Sequence, residues 1–297
     1  MNIITTFEEA RAARRGVVGL VPTMGFFHEG HLSLISAARN KADTVLVSLF
    51  VNPLQFGEGE DLDRYPRDLD RDAFLAEEAG ADLLFVPSVE TMYPVHPVIR
   101  VTAGSLADHL CGAYRPGHFD GVATVVAKLF AGLQPDLAFF GRKDAQQLAV
   151  LRRLTVDLSF PVRVIGGPIV REQDGLALSS RNIYLSDDER RSALALSRGL
   201  ARSATAALDG ERSAASLESI VQTECEQTPG VDLQYVRLVD AESVQPIPEL
   251  DRDAFLAVAA HMGRTRLIDN VHFWLDEGKL TYELGEHLDR PTILGGT

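Results

Sequence analysis

The chain has 297 residues, enough for one large domain or two ordinary ones, and its 45% hydrophobic and 24% charged content is that of a folded soluble protein. A net charge of −13 argues against a nonspecific nucleic-acid or anionic-membrane binder, which needs a basic surface, yet it allows an anionic small substrate in a site with its own local potential. Only Cys111 and Cys225 occur, far apart and outside any CxxC or Cys/His metal spacing, so buried thiols in a reducing, cytoplasmic setting are expected.

The opening "MNIITTFEEARAARRG" carries Glu8 and Glu9 and has no continuous apolar run. It predicts a short helix opened by a capping box, Thr5 with Glu8 or Thr6 with Glu9, rather than a secretory or transit leader. Buried strands are then expected at 16–21, 44–51, 81–87, 135–140 and 162–170, with helices at 30–41, 69–79, 120–133 and 144–158 between them. This alternation predicts an α/β fold, a Rossmann-like, doubly wound, mostly parallel sheet over residues 1–172.

Beyond residue 172 the rhythm changes. A long helix opened by a Ser186–Glu189 capping box, a second helix at 213–226 and strands at 231–240 and 254–262 predict a smaller α+β domain, 173–297. The longest apolar stretch, "GVATVVAKLFAGL", is broken by Lys128 and too short to span a bilayer, so no membrane segment is expected.

Chemistry-bearing residues stand at the predicted strand ends, where ligands of α/β sheets bind. After the first strand comes "PTMGFFHEGH", with Gly25, His28, Gly30 and His31 at a helix start. Main-chain N–H groups and the positive dipole end suit an anion there, and the same dipole favours neutral imidazoles acting as N–H donors. A metal fits less well: the spacing is not HExxH and no third ligand follows. "NPLQF" leaves Gln55, a donor and an acceptor, at the next strand end.

"FFGRKDAQQL" brings Gly141 for the turn, Lys143 as a phosphate-type cation, Asp144 as a cap, and Gln147 on the side of the helix that Asp144 faces. "LALSSRN" supplies Ser179, Ser180, Arg181 and Asn182, hydroxyls and a guanidinium suited to a loop that closes on phosphates. Arg115, His118 and Asp120 of "YRPGHFDG" point to a structural or substrate-shaping loop, with Asp120 a candidate helix cap. The acidic run 58–72, with Asp61, Asp63, Asp68, Asp70 and Asp72, reads as a solvated loop and helix before it reads as a Mg²⁺ site. His261 and Trp274 read as packing or surface residues.

Together "PTMGFFHEGH", "NPLQF", "YRPGHFDGV", "FGRKDAQQL" and "LSSRN" occur in the order and spacing of the pantoate–β-alanine ligases, a family the chain resembles over nearly its whole length. More broadly it resembles the nucleotidyltransferases and class I aminoacyl-tRNA synthetases, with HEGH and Leu178–Arg181 in the places of HxGH and KMSKS. The resemblance implies an enzyme that activates pantoate with ATP to a pantoyl adenylate, releasing pyrophosphate. It then passes the acyl group to β-alanine, releasing AMP and pantothenate.

It implies Mg²⁺ with the triphosphate, with no residue assigned to it, and a homodimer. It also implies an ATP site of Met24, Gly25, His28, His31, Gly141, Arg142, Lys143, Asp144, Val170, Leu178, Ser179, Ser180 and Arg181. His31 would be the proton donor, with His28, Lys143, Ser179 and Arg181 the other catalytic groups. Gln55 and Gln147 would clamp pantoate, Gln55 also reaching β-alanine, and the second domain would act as a lid. Arg142 and Leu178 depart from the commoner family residues. Two other readings compete: a nucleotidyltransferase that stops at an activated nucleotide, and a nucleotide-binding regulator without turnover.

Overall fold

The computed structural model describes residues 1–60 and 62–294, which divide into two compact units. The first holds residues 1–107, 114–141 and 150–167; the second holds 108–113, 142–149 and 168 onward.

In chain order the first elements are β1 (Asn2–Ile4), α1 (Phe7–Ala13), β2 (Val18–Thr23), α2 (Glu29–Arg39), β3 (Thr44–Leu49), α3 (Leu69–Glu78), β4 (Leu83–Phe85) and α4 (Val89–Met92). There follow α5 (Leu110–Tyr114), α6 (His118–Leu133), β5 (Leu137–Gly141), α7 (Ala145–Asp157) and β6 (Arg163–Gly167). The capping box that opens α1 is Thr6 with Glu9.

Strands β1 to β6 form one sheet in the order β1-β4-β3-β2-β5-β6, and every pair is parallel. The order reverses between β2 and β5, which places the binding crevice of such a sheet at the carboxyl ends of these two strands. Val21, Val45, Val47 and Leu84 from the strands pack with Phe27, Ile35 and Ala38, all at most 1% exposed. Apolar on both faces, these strands read from sequence as continuous hydrophobic runs.

The strand expected at 162–170 is two strands. Pro168 cannot donate to a ladder, and β6 stops at Gly167. The chain then enters the second unit as β7 (Val170–Arg171).

That unit continues with α8 (Asp187–Leu208), α9 (Ala214–Glu226), β8 (Val231–Asp240), β9 (Ala254–Met262), β10 (Thr265–Asp276), β11 (Lys279–Glu283) and β12 (Glu286–His287). β8 to β11 make an antiparallel sheet in the order β11-β10-β9-β8, and β12 pairs with β7. Ser186 and Glu189 close the expected capping box on α8. Leu196, Leu200, Leu217, Val221, Leu256, Val258 and Phe273 form the core of helices on sheet. No described helix is long and apolar enough to cross a membrane.

Candidate active site

From Thr23 at the end of β2 the chain turns through Gly25 (φ 88°) and Phe26 (φ 54°) before α2 begins. A positive φ is uncommon for a phenylalanine and has to be held by its surroundings. Asp72 of α3, 1% exposed, does this by accepting the main-chain N–H groups of Phe26 at 2.6 Å and Phe27 at 2.7 Å. Burial pushes the Asp72 carboxyl above its ordinary value, against the pull of those two bonds. The expectation of a solvated acidic run therefore fails at Asp72, the interior anchor of the turn. Asp68 caps α3 by accepting the Arg71 N–H at 3.1 Å, and Asp61 lies outside the described residues.

The cap of α2 is made of two imidazoles. His28 Nδ1 accepts the Gly30 N–H at 3.2 Å, and His31 Nδ1 accepts the main-chain N–H of His28 at 3.3 Å. The pair does the work of Ser and Glu in an ordinary capping box. A ring nitrogen that accepts from an amide bears no proton, so each neutral ring carries its hydrogen on Nε2. A β-carbon on Gly30 would stand 2.9 Å from both Cε1 and Nδ1 of His28, so only glycine lets that ring fold back over the first turn. The result is a helix start whose cap residue and third residue are both imidazoles with their ring hydrogens on Nε2. Among the described residues no three His, Cys, Asp or Glu side chains are grouped to hold a metal.

At the end of β3, Asn52 opens a 3₁₀ turn, Pro53–Gln55. Its Nδ2 donates to Gln55 Oε1 at 3.0 Å and to Gly121 O at 3.1 Å, while its Oδ1 accepts from Tyr93 Oη at 2.9 Å. With both ends of the Asn52 amide fixed, the Gln55 carbonyl must face Asn52. Its Nε2 therefore points the other way and donates to Met24 Sδ at 3.1 Å.

The helix α6 presses close to this turn, and a β-carbon on Gly121 would strike the carbonyl of Leu54. His118 Nδ1 lies 2.8 Å from Gln55 O and its Nε2 lies 3.0 Å from Arg115 Nη1. Arg115 has no acceptor, so Nδ1 donates to the carbonyl and Nε2 accepts. Arg115 also grips both oxygens of Glu60, at 2.7 and 2.6 Å. Burial opposes ionisation of Glu60, but Arg115 holds its carboxyl below the usual value. Arg115 and His118 thus brace the Gln55 segment. Asp120 accepts the Ala103 N–H at 2.8 Å, and the N-cap of α6 is Gly117.

In the second unit, Arg142–Asp144 form a 3₁₀ turn directly after β5, and Gln147 follows, half-buried, in the first turn of α7. Lys143 is half-buried and Asp144 exposed. The Arg142 guanidinium pairs with Glu283 at 2.6 Å and lies over the Trp274 ring at 5.3 Å. Trp274 in turn stacks on His272, so its expected packing role is a specific one.

Val170 and Leu178, both buried, join through the Leu178 N–H and Val170 O at 2.9 Å. Ser179 Oγ accepts the Arg181 N–H at 3.3 Å and opens the turn Ser180–Tyr184. Asn182 faces inward, donating to Glu172 at 2.9 Å. The sequence reading assigns no role to Asn52, and places Asp72 only among solvated acids. The signal for Asn52 was an amide side chain between a strand end and a proline; Asp72 had none that set it apart from its acidic neighbours.

The family model for pantoate-beta-alanine ligase matches residues 2–272. The pantothenate synthetase of Heliobacterium modesticaldum is 54% identical over 264 residues, 89% of this chain and 93% of its own. That of Pelobacter propionicus is 49% identical over 276 residues, 91% and 97% of the two chains. The crystal structure of pantothenate synthetase from Thermus thermophilus superposes with a TM-score of 0.87 at 49% identity, covering 91% of this chain and 98% of that one. A pantoate-beta-alanine ligase from Francisella tularensis, complexed with beta-gamma ATP and beta-alanine, superposes with a TM-score of 0.74 at 33% identity over 91% and 97%. On its sequence, its six-stranded and four-stranded sheets and its HEGH helix start, the chain belongs to the pantoate–β-alanine ligase family.

Proposed function

We propose that this chain makes pantothenate from pantoate, β-alanine and MgATP by way of a pantoyl adenylate. A pantoate carboxylate oxygen attacks the α-phosphorus, the bond to the β-phosphate breaks, and pyrophosphate leaves. The β-alanine amine then attacks the acyl carbon, AMP departs with the C–O electron pair, and the amine proton is lost. The substrate brings its own nucleophile, so the protein's work is alignment and stabilisation of charge on phosphate oxygens.

The observation that carries this reading is the mutual cap of His28 and His31, which fixes two Nε2–H donors at the start of α2. His31 is the proton donor to the phosphates and His28 their second imidazole partner. Met24, Gly25, Gly141, Asp144, Val170, Leu178 and Ser180 complete the ATP site beside Lys143, Ser179 and Arg181. Arg142 serves through its main chain, its guanidinium being taken by Glu283. Gln55 and Gln147 orient pantoate: amide donors hold a carboxylate without quenching its nucleophilicity as a full cation would. Magnesium travels with the triphosphate as part of the substrate. The enzyme works as a cytoplasmic homodimer.

Pyrophosphate exchange tests the scheme. Labelled pyrophosphate should enter ATP only when pantoate is present, and AMP should form on adding β-alanine. Exchange indifferent to pantoate would remove this function.

A further inference from the structure

Two neighbouring residues of β10 hold both second-unit segments assigned to the nucleotide. Asn270, 2% exposed, donates from Nδ2 to Arg142 O at 3.0 Å and to Lys143 O at 2.9 Å. These carbonyls belong to the peptide planes on either side of the Lys143 Cα. Peptide units are planar, so holding both fixes φ and ψ of Lys143 and the direction in which its side chain leaves the chain.

Asp269, 3% exposed, takes Arg171 in a bidentate pair at 2.7 and 2.9 Å, and its Oδ1 also accepts the Asn270 N–H at 2.8 Å. Arg171, 2% exposed, donates in turn to the carbonyls of Gly175 and Leu284. It also bridges Ala177, so the hairpin leading to Ser179–Arg181 is pinned at its base. A guanidinium and a carboxylate so deeply buried contribute little net stability over an apolar pair, and geometry is what they supply.

We propose that Asn270 and Asp269 are positioning residues for adenylation. Asn270 acts through Lys143 and Asp269 through the hairpin that carries Ser179 and Arg181. This rests on the reading of those three side chains as nucleotide ligands. Misplacing such groups by an ångström is worth about a hundredfold in rate.

The test is Asn270→Ala, with the two half-reactions measured apart. Pantoate-dependent pyrophosphate exchange should fall about tenfold or more, with a raised KM for ATP. Aminolysis of supplied pantoyl adenylate by β-alanine should fall clearly less than exchange, because the adenylate keeps the AMP moiety but has lost two of the three phosphates on which these side chains act. Wild-type exchange in the folded variant, or an equal fall in both half-reactions, overturns the proposal. Should the alanine protein lose its near-ultraviolet circular dichroism, Asn270→Ser, which retains one donor, is read by the same criteria with an intermediate loss expected.

Lys143→Ala separates this proposal from the reading beneath it. Exchange that survives Lys143→Ala refutes the role of Lys143. Exchange lost in Lys143→Ala but normal in Asn270→Ala refutes the positioning role alone.

Discussion

The rings of His28 and His31 stand 4.1 Å apart, and each uses Nδ1 to hold a main-chain N–H of the same helix start. Nitrogen-15 NMR should therefore find both neutral rings protonated at Nε2; a proton on either Nδ1 contradicts the geometry. His31→Ala should lower turnover by about two powers of ten or more, as for one preorganised donor. Losing its half of the cap should cost about 1 kcal/mol in urea unfolding.

Gly30→Ala examines the same corner without touching an imidazole. The new methyl would meet the His28 ring at 2.9 Å and push it off the helix start. Pyrophosphate exchange should drop by about tenfold while the melting temperature moves by a few degrees at most. Unchanged exchange would mean that His28 does its work in another orientation.

For Asp72→Asn the pH dependence is the decisive reading. Burial raises the Asp72 carboxyl in the folded protein. Its stabilising contribution is thus complete below the unfolded value of about 3.9 and is lost as pH climbs through the raised one. The asparagine protein has no such titration and should gain on the wild type as pH rises through that window, in urea unfolding between about pH 3 and 7. A flat difference would contradict the shift. Exchange should also weaken, since an amide offers only one acceptor to the Phe26 and Phe27 N–H groups.

Cys225 is fully buried, and burial pushes its thiol up to about 11. Iodoacetamide at neutral pH should leave it unmodified in the native protein and label it after denaturation, by mass spectrometry. The stability it contributes is complete below the unfolded value of about 8.5 and is lost as pH rises through about 11. Rapid native labelling would contradict this placement.

The parallel sheet was legible because strands buried on both faces leave uninterrupted apolar runs such as "TVLVSLFV". Strand β1, three residues long, is too short to leave a pattern, and it joins the sheet only by pairing with β4. Strand β10 was hidden for another reason: Asp269, Asn270 and His272 are buried polar residues that interrupt its hydrophobic signature. The spacing in HEGH predicts a helix start, and α2 begins there, but its cap leaves no signal because histidine is not among the usual capping residues. Asp72 and Asn52 act on Phe26 and Gly121, 46 and 69 residues away, and separations of that size leave no local trace.

Asn52→Asp would exchange a donor for an acceptor facing the carbonyls of Gln55 and Gly121. Leaving those buried groups unsatisfied should destabilise the protein by about 1–3 kcal/mol, and the KM for pantoate should rise with it. Equal stability and an unchanged KM would show that Gln55 takes its orientation from elsewhere.

The relay from Tyr93 through Asn52 to Gln55 runs in one sense, hydroxyl to carbonyl and then amide nitrogen to carbonyl, so the Gln55 side-chain oxygen is engaged and its nitrogen remains purely a donor. On the role proposed for Gln55, such one-way wiring acts on orientation: a carboxylate meets the amide hydrogens with either oxygen, whereas the primary amide of the same acid does so only with its carbonyl turned inward. A donor whose direction is fixed by the fold thereby favours the acid over a neutral look-alike of nearly identical size through the number of productive orientations, not the number of bonds.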